Sequence, residues 1–521
     1  MKHCGGSENK LKAVILAGGF GTRLRPLTFT HPKPVLPLLN KPILHHIIEY
    51  LSHYGVDEAI ITTNYLRQKV IDHLGESYFG VKLSYPVEET PLGTAGSVKN
   101  IQDRLGDTFL VMQGDTICDI NLSRIKRAHK NHSAQATIAT YEVDDPWHFG
   151  VVDSGENGLI KGFQEKPAKG QCTCNQVNTG IYVFEPEVLD LVPPETPYDF
   201  SRDLFPRLLR RQAIYSVSFG KNSFWVDVGQ PYGYRKASRW LMDKASSEIH
   251  QTALLSSESP HPLVVGENTV VNRGVEFKGP AVLGDNVVVD ADCVLGAYTV
   301  VGSNSNLGSS SCLDGAILFD DNQLGSSTQL LDCVISNKCR IAEKTSVRED
   351  SLLGAQCNLD SHVHVARGSR IWPRTWISSE SIISGTLRKY YSNHEHEPDF
   401  GNPKTCLRQL SLEEAFYFNK KQGRHVSFTG FRARSLMDFI EILKQVDPSS
   451  LQYHFRGEFN DFSSWIYEVL CDDYLSLEFH EIKQRFQQGE VSNRNLRKTL
   501  LASTVQRFKQ LEDKLNPKGY L

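Results

Sequence analysis

At 521 residues the chain has room for roughly three or four domains of ordinary size, which excludes a marginal miniprotein. Apolar residues make up 40% and charged residues 22%, with 39 glycines and 23 prolines, so a collagenous or largely disordered chain is excluded as well. Lys and Arg number 57 against 60 Asp and Glu, a net charge of −3; no global positive field exists to gather nucleic acid or an anionic membrane, and any anion must be held locally.

Residues 1–11 carry no apolar h-region, and no run of about 18 apolar residues occurs anywhere. A flexible N-terminus, a cytoplasmic setting and the absence of a membrane span are therefore expected. The 11 cysteines are odd in number and scattered, which predicts reduced and mostly buried thiols. Cys172 and Cys174 form a C-x-C pair, but no second pair follows at zinc-finger spacing.

From 12 to 245, short apolar runs alternate with helical patterns. Lys12–Ala17 reads as a buried strand. Ile43, Leu44, Ile47, Ile48 and Leu51 share one helix face behind Asn40 as a candidate N-cap, and Ala59–Thr63 and Phe109–Gln113 read as further strands. Such βαβ units predict an α/β domain with a mostly parallel sheet, whose ligands sit at the C-terminal ends of the strands.

Between 260 and 385 the rhythm changes. Val265, Val271, Phe277, Leu283, Val289, Leu295, Val301, Leu307 and Leu313 fall on every sixth position. After an irregular stretch the same frame restarts at Ile335, Ile341, Val347, Leu353, Leu359, Val365, Ile371, Ile377 and Ile383. A six-residue period puts one aliphatic side chain per flat side into the axis of a triangular parallel β-helix. The pattern resembles the left-handed β-helix of hexapeptide-repeat proteins, and Arg370-Ile371-Trp372-Pro373 is similar to its last coil in sugar-nucleotide enzymes. Flat faces and open coil ends predict a homo-oligomer formed through this domain.

The period is lost over 386–403, a polar stretch read as a linker. Residues 404–521 read as a small helical domain of unknown function, with Leu436, Phe439, Ile440 and Leu443 at helical spacing behind Ser435 and with Phe462, Trp465, Ile466 and Val469 repeating the pattern. Around Asn460–Ile466 it resembles an uncharacterised helical domain that accompanies other enzymes. It is expected to be dispensable for chemistry.

The chemistry-bearing residues begin directly after the first strand, in Leu16-Ala17-Gly18-Gly19-Phe20-Gly21-Thr22-Arg23-Leu24-Arg25-Pro26-Leu27-Thr28, with Pro32-Lys33-Pro34 following. A glycine-rich loop leaving a strand lets backbone N–H groups approach a phosphate chain, and Arg23 and Lys33 add cationic donors. The spacing is neither that of a P-loop nor that of a dinucleotide-binding fingerprint. Taken alone, Gly114-Asp115 and Trp225-Val226-Asp227-Val228-Gly229 are no more than acidic turns.

Position by position, the loop and its Pro-Lys-Pro extension resemble the signature of the sugar-1-phosphate nucleotidyltransferases. The resemblance runs closest to the mannose-1-phosphate guanylyltransferases through Pro91-Leu92-Gly93-Thr94-Ala95-Gly96 and Trp225–Gly229. It implies nucleotide contacts from Leu16, Ala17, Gly18, Gly19, Gly21, Thr22, Glu88, Pro91, Gly93, Thr94 and Gly96. Sugar contacts would come from Gly150, Glu165, Asn178 and Gly180. Asp115 and Asp227 would bind Mg²⁺. Arg23 would hold the triphosphate, Lys33 the reacting phosphates and Lys166 the acceptor phosphate. The implied reaction converts an NTP and a sugar 1-phosphate to an NDP-sugar and pyrophosphate, with GTP and mannose 1-phosphate favoured. The alternatives are a glucose or heptose 1-phosphate with another NTP, a non-catalytic nucleotide-sugar sensor, and a hexapeptide-repeat acyltransferase using His362 or His364 as a base.

Overall fold

The computed structural model describes residues 11–19, 21–63, 67–88, 91–387, 401–455 and 460–515. The chain divides into two units, one of residues 1–24 and 30–244, the other of Arg25–Phe29 with Ala245–Leu521. Most of the expected N-terminal stretch and of the 386–403 linker lies outside the described residues.

The first unit is built on a ten-stranded mixed sheet. Leu11–Leu16 lies between Val56–Thr62 and Phe109–Gln113 and is parallel to both, as apolar strands joined through helices must be. Its Ala13, Val14 and Ile15 are fully buried, in keeping with a strand covered on both faces. On the other side the long strand Gln176–Phe184 runs antiparallel to Phe109–Gln113 and to Ala136–Glu142, and Ile214–Phe219 adds parallel to the latter. The helix Ile43–Ser52 buries Ile43, Leu44, Ile47, Ile48 and Leu51, the face expected from their spacing. Its cap is Pro42 rather than Asn40, which instead takes a left-handed turn at φ 62°.

A separate two-stranded ribbon pairs Thr116–Cys118 with Trp225–Asp227, antiparallel, setting Asp227 opposite Thr116. This ribbon gives the two distant acidic motifs a common backbone.

In the second unit three parallel sheets form the sides of the β-helix. All eighteen aliphatic and aromatic positions of the six-residue frame are buried. Coils advance by 18 residues, as where Val265 pairs with Leu283. The irregular stretch is not a break. Val301 pairs with Leu318 and Leu313 with Leu330, 17-residue steps that each contain one corner a residue short, and after a second such corner Ile335 to Leu353 restores the longer step. Leu318, Leu324 and Leu330 carry the axis through this interval, all buried. The shortened corners turn at Gly315 (φ 61°) and Asp332 (φ 42°). Cys293, Cys333, Cys339 and Cys357 are fully buried along the axis, and the ten described cysteines are unbridged.

The C-terminal module is not purely helical. Phe416–Gln422 and His425–Ala433 form a hairpin, and His425–Ala433 also pairs, in parallel, with the coil strand Ile382–Ile383. Five longer helices follow, and Ser435 caps the first of them by accepting from the Asp438 N–H. Their core contains Phe416, Phe418, Phe439, Phe462 and Trp465, so these aromatics serve packing. Also in this unit, Phe29 packs on Trp372 with ring centroids 4.6 Å apart, in a cluster with Ala415 and Tyr417, while Arg25 pairs with Glu413 at 2.5 Å. None of the described helices is long and apolar enough to cross a membrane.

Candidate active site

The first strand ends at Leu16, and its glycine-rich continuation opens into a cleft. Ala17 N–H donates to Thr62 O at 2.8 Å and Gly114 N–H to Leu16 O at 2.8 Å, fixing the loop root between neighbouring strand ends. A Cβ on Gly114 would stand 2.9 Å from Leu16 O, so only glycine lets the Asp115 turn pass this close. Gly18 and Gly19 face open space.

Asp115 and Asp227 come together because the ribbon holds them side by side, and Val228 N–H donates to Asp115 O at 2.8 Å. Lys33, only 8% exposed, bonds the Asp115 carboxylate and lies 3.7 Å from Asp227 Oδ1. Arg23 reaches Asp227 Oδ2 at 3.5 Å, and Gly229 N–H donates to Asp227 Oδ1 at 2.6 Å. Burial, and then the facing Asp115 carboxylate, raise the Asp227 pKa above the ordinary carboxylate value, against the opposing pull of Lys33, Arg23 and the Gly229 N–H. Two hard oxygen donors whose mutual repulsion calls for positive charge fit a divalent cation completed by phosphate oxygens. No group of three or more potential ligands occurs among the described residues, so substrate oxygens would have to complete the shell; Cys172 and Cys174 belong to no such group.

Two pockets meet here. One, of about 250 Å³, is lined by Leu16, Ala17, Gly19, Gly21, Thr22, Arg23, Lys33, Gln113 and Asp115 among others. The other, of about 420 Å³, gathers Gly150, Glu165, Lys166, Asn178, Gly180 and Asp227 with Thr94. Arg23, Gln113 and Asp115 line both.

In the second pocket Lys166 takes a left-handed conformation (φ 45°), and its ammonium lies 3.9 Å from Glu165. Asn178 donates to the Tyr182 hydroxyl and accepts from Gly180 N–H, both at 3.0 Å. A side chain at Gly150 would strike the Phe163 ring at 2.7 Å and Glu165 at 3.0 Å.

The structure divides the expected nucleotide contacts. Thr94 lines the second pocket rather than the first, while Gly18, Glu88, Pro91, Gly93 and Gly96 line neither. Glu88 instead accepts from Leu92 N–H at 2.6 Å and from the Ser97 hydroxyl, and so braces its own loop. Gly93 (φ +72°) and Gly96 are glycines because a Cβ on either would lie 2.8 Å from a backbone carbonyl of Tyr198 or Thr196. Sequence reading missed Gln113, His148, Asp199, Ser201 and Arg202, which also line these pockets. Asp-Phe-Ser-Arg carries no motif; its only signal is an Asp placed to cap a helix.

For the acyltransferase reading, His364 shares a 2.6 Å hydrogen bond with the Ser346 hydroxyl across adjacent coils, and His362 occupies a left-handed corner (φ 61°). Both are accounted for by the β-helix itself.

Residues 12–244 match the nucleotidyl transferase family, 277–386 the GMPPB C-terminal domain and 402–501 a family of unknown function, DUF5752. A UTP–glucose-1-phosphate uridylyltransferase of Synechocystis is 31% identical over 395 residues, 73% of this chain and 100% of that protein. The mannose-1-phosphate guanylyltransferase catalytic subunit beta of Dictyostelium discoideum is 35% identical over 50% of this chain and 73% of its own length. Mannose-1-phosphate guanylyltransferase 1 of Arabidopsis thaliana is also 35% identical, over 55% and 78%. With these matches joined to the paired aspartates and the twin pockets, the chain belongs to the sugar-1-phosphate nucleotidyltransferase family.

Proposed function

We propose that this nucleotidyltransferase joins GTP and mannose 1-phosphate into GDP-mannose, releasing pyrophosphate. The observation that carries the reading is the shared wall of Arg23, Gln113 and Asp115 between two polar pockets, where an α-phosphate and an acceptor phosphate would meet. An oxygen of the sugar phosphate, already anionic, attacks the α-phosphorus; the new P–O bond forms as the α–β bridge breaks and pyrophosphate leaves with its electron pair. No proton transfer is required.

The residues work by position and charge. Lys33, nearly buried beside both aspartates, offsets charge at the reacting phosphates. Arg23, exposed between the pockets, holds the triphosphate, and Lys166 steers the acceptor phosphate with Glu165 and Asn178 at the sugar. Asp115 and Asp227 would hold a divalent cation, Mg²⁺ in this reading, which supplies charge neutralisation to the phosphates. The same reading places the enzyme in the cytoplasm, a setting supported by the thiols buried along the β-helix axis. It also makes the enzyme a homo-oligomer through that domain, where Ile249 and Leu254 of the first coil are 50% and 65% exposed.

Relatives named for guanylyl transfer to mannose 1-phosphate support the substrate pair. The full-length relative named for UTP and glucose 1-phosphate supports a second reading with that pair. Pyrophosphate release measured across four NTPs and the mannose, glucose and heptose 1-phosphates decides between them. GTP with mannose 1-phosphate is expected to turn over fastest; a tenfold advantage for UTP with glucose 1-phosphate would replace the substrate assignment.

A further inference from the structure

The stretch Pro91–Gly96 and the turn at 198–203 are laced together. Ala95 and Gly96 N–H groups both donate to Tyr198 O, and Tyr198 N–H donates back to Leu92 O at 2.9 Å. The Thr94 hydroxyl donates to Asp199 Oδ2 at 2.9 Å and accepts from Phe200 N–H at 2.8 Å. The other oxygen of Asp199, Oδ1, accepts from Ser201 and Arg202 N–H at 2.9 and 3.2 Å, while Asp199 N–H donates to Asp203 at 2.8 Å. Thr94, Asp199, Ser201 and Arg202 all border the acceptor pocket.

One carboxylate thus spends both oxygens inside the protein, one on Thr94 of the Pro91–Gly96 stretch and one on the turn that bears Arg202. Arg202 itself is exposed and lines the same pocket as Lys166. A cation on an unbraced turn would have to be ordered at each binding event, at the cost of backbone and side-chain freedom. We infer that Asp199, gripped by Thr94, is a positioning residue that holds the Arg202 turn ready for the acceptor phosphate. Its effect is on the sugar phosphate rather than on the nucleotide. The inference rests on the reading of the larger pocket as the acceptor site.

The test uses the full chain and whichever NTP and sugar 1-phosphate pair turns over. Thr94→Val, nearly isosteric, and Asp199→Ala are expected to raise KM for the sugar phosphate at least tenfold while KM for the NTP stays within twofold. Thr94→Ser, which keeps the hydroxyl, is expected to recover the wild-type KM. Because Asp199 acts through Arg202, Asp199→Ala in an Arg202→Ala background should add less than twofold. Fully multiplicative effects, or equal changes in both KM values, would overturn the inference. If no pair turns over, nucleotidyl transfer itself is refuted, and amide exchange decides the brace. Exchange at Ser201 and Arg202 that is tenfold faster in Thr94→Val supports it, and unchanged exchange refutes it.

Discussion

Lys33 and Asp227 stand 3.7 Å apart in a place where Lys33 already bonds Asp115, so a single nearly buried ammonium serves two facing carboxylates. Each carboxylate alone would cost desolvation energy; the cation between them is what makes the pair tolerable before substrate arrives.

Replacing Asp115 or Asp227 by Ala removes an oxygen donor without disturbing the ribbon's backbone pairing. Each variant is expected to lose about 10²–10³ in turnover. Chelation of divalent cations should silence the wild type to a similar degree, and full activity in both variants would contradict the assignment.

Lys33→Met leaves the two facing carboxylates with only Arg23 and the Gly229 N–H, both on Asp227, to offset their repulsion. The Asp227 pKa, already raised, should rise further, and a carboxyl group whose pKa is higher folded than unfolded favours the folded state as pH falls. The variant should therefore melt below the wild type at pH 8, with a deficit that narrows toward pH 5; a pH-independent deficit would count against this account.

His31 and His45 give the opposite sign. Burial first, and then neighbouring cations such as Lys69 for His31 and His46 for His45, lower both from 6.5 to about 4. The unfolded chain takes up these protons near pH 6.5 and the folded chain only near 4, so their contribution to stability is lost as pH falls through that window. Melting followed from pH 7.5 to 4 should decline, and His31→Gln should flatten the decline.

The six-residue frame made the β-helix legible, because one inward side chain per flat side leaves a fixed arithmetic in the chain. The two corners one residue short erased that arithmetic between Leu313 and Ile335 although Leu318, Leu324 and Leu330 kept the same inward role. Arg23, Lys33, Asp115 and Asp227 were readable from their motifs and do converge. Glu88, Gly93 and Gly96 sit in an equally recognisable motif whose packing already accounts for them, since a glycine needed against a carbonyl and one needed against a ligand look alike in sequence. The hairpin Phe416–Gln422 and His425–Ala433 was hidden because the helical spacing of the later aromatics dominated the reading of its module.

That hairpin changes what the C-terminal module is expected to do. Tyr417 and Ala415 cover Phe29 and Trp372, and Glu413 pairs with Arg25. A chain ending at residue 392 keeps Arg23, Lys33, Asp115 and Asp227 and is expected to retain turnover, but with a lower melting temperature. Phe29→Ala in the full chain should itself cost about 3–5 kcal/mol of stability in this cluster. Wild-type stability in the truncated chain would show that the cluster contributes nothing.

In the proposed reaction a sugar 1-phosphate is the direct nucleotidyl acceptor. That role is read out by following the purified chain with a divalent cation, an NTP and a sugar 1-phosphate, quantifying pyrophosphate and NDP-sugar together. One pyrophosphate per NDP-sugar is expected, with no release when the sugar phosphate is omitted and recovery of NTP when pyrophosphate is added to the product. Release independent of the sugar phosphate, or none with any pair, would contradict it.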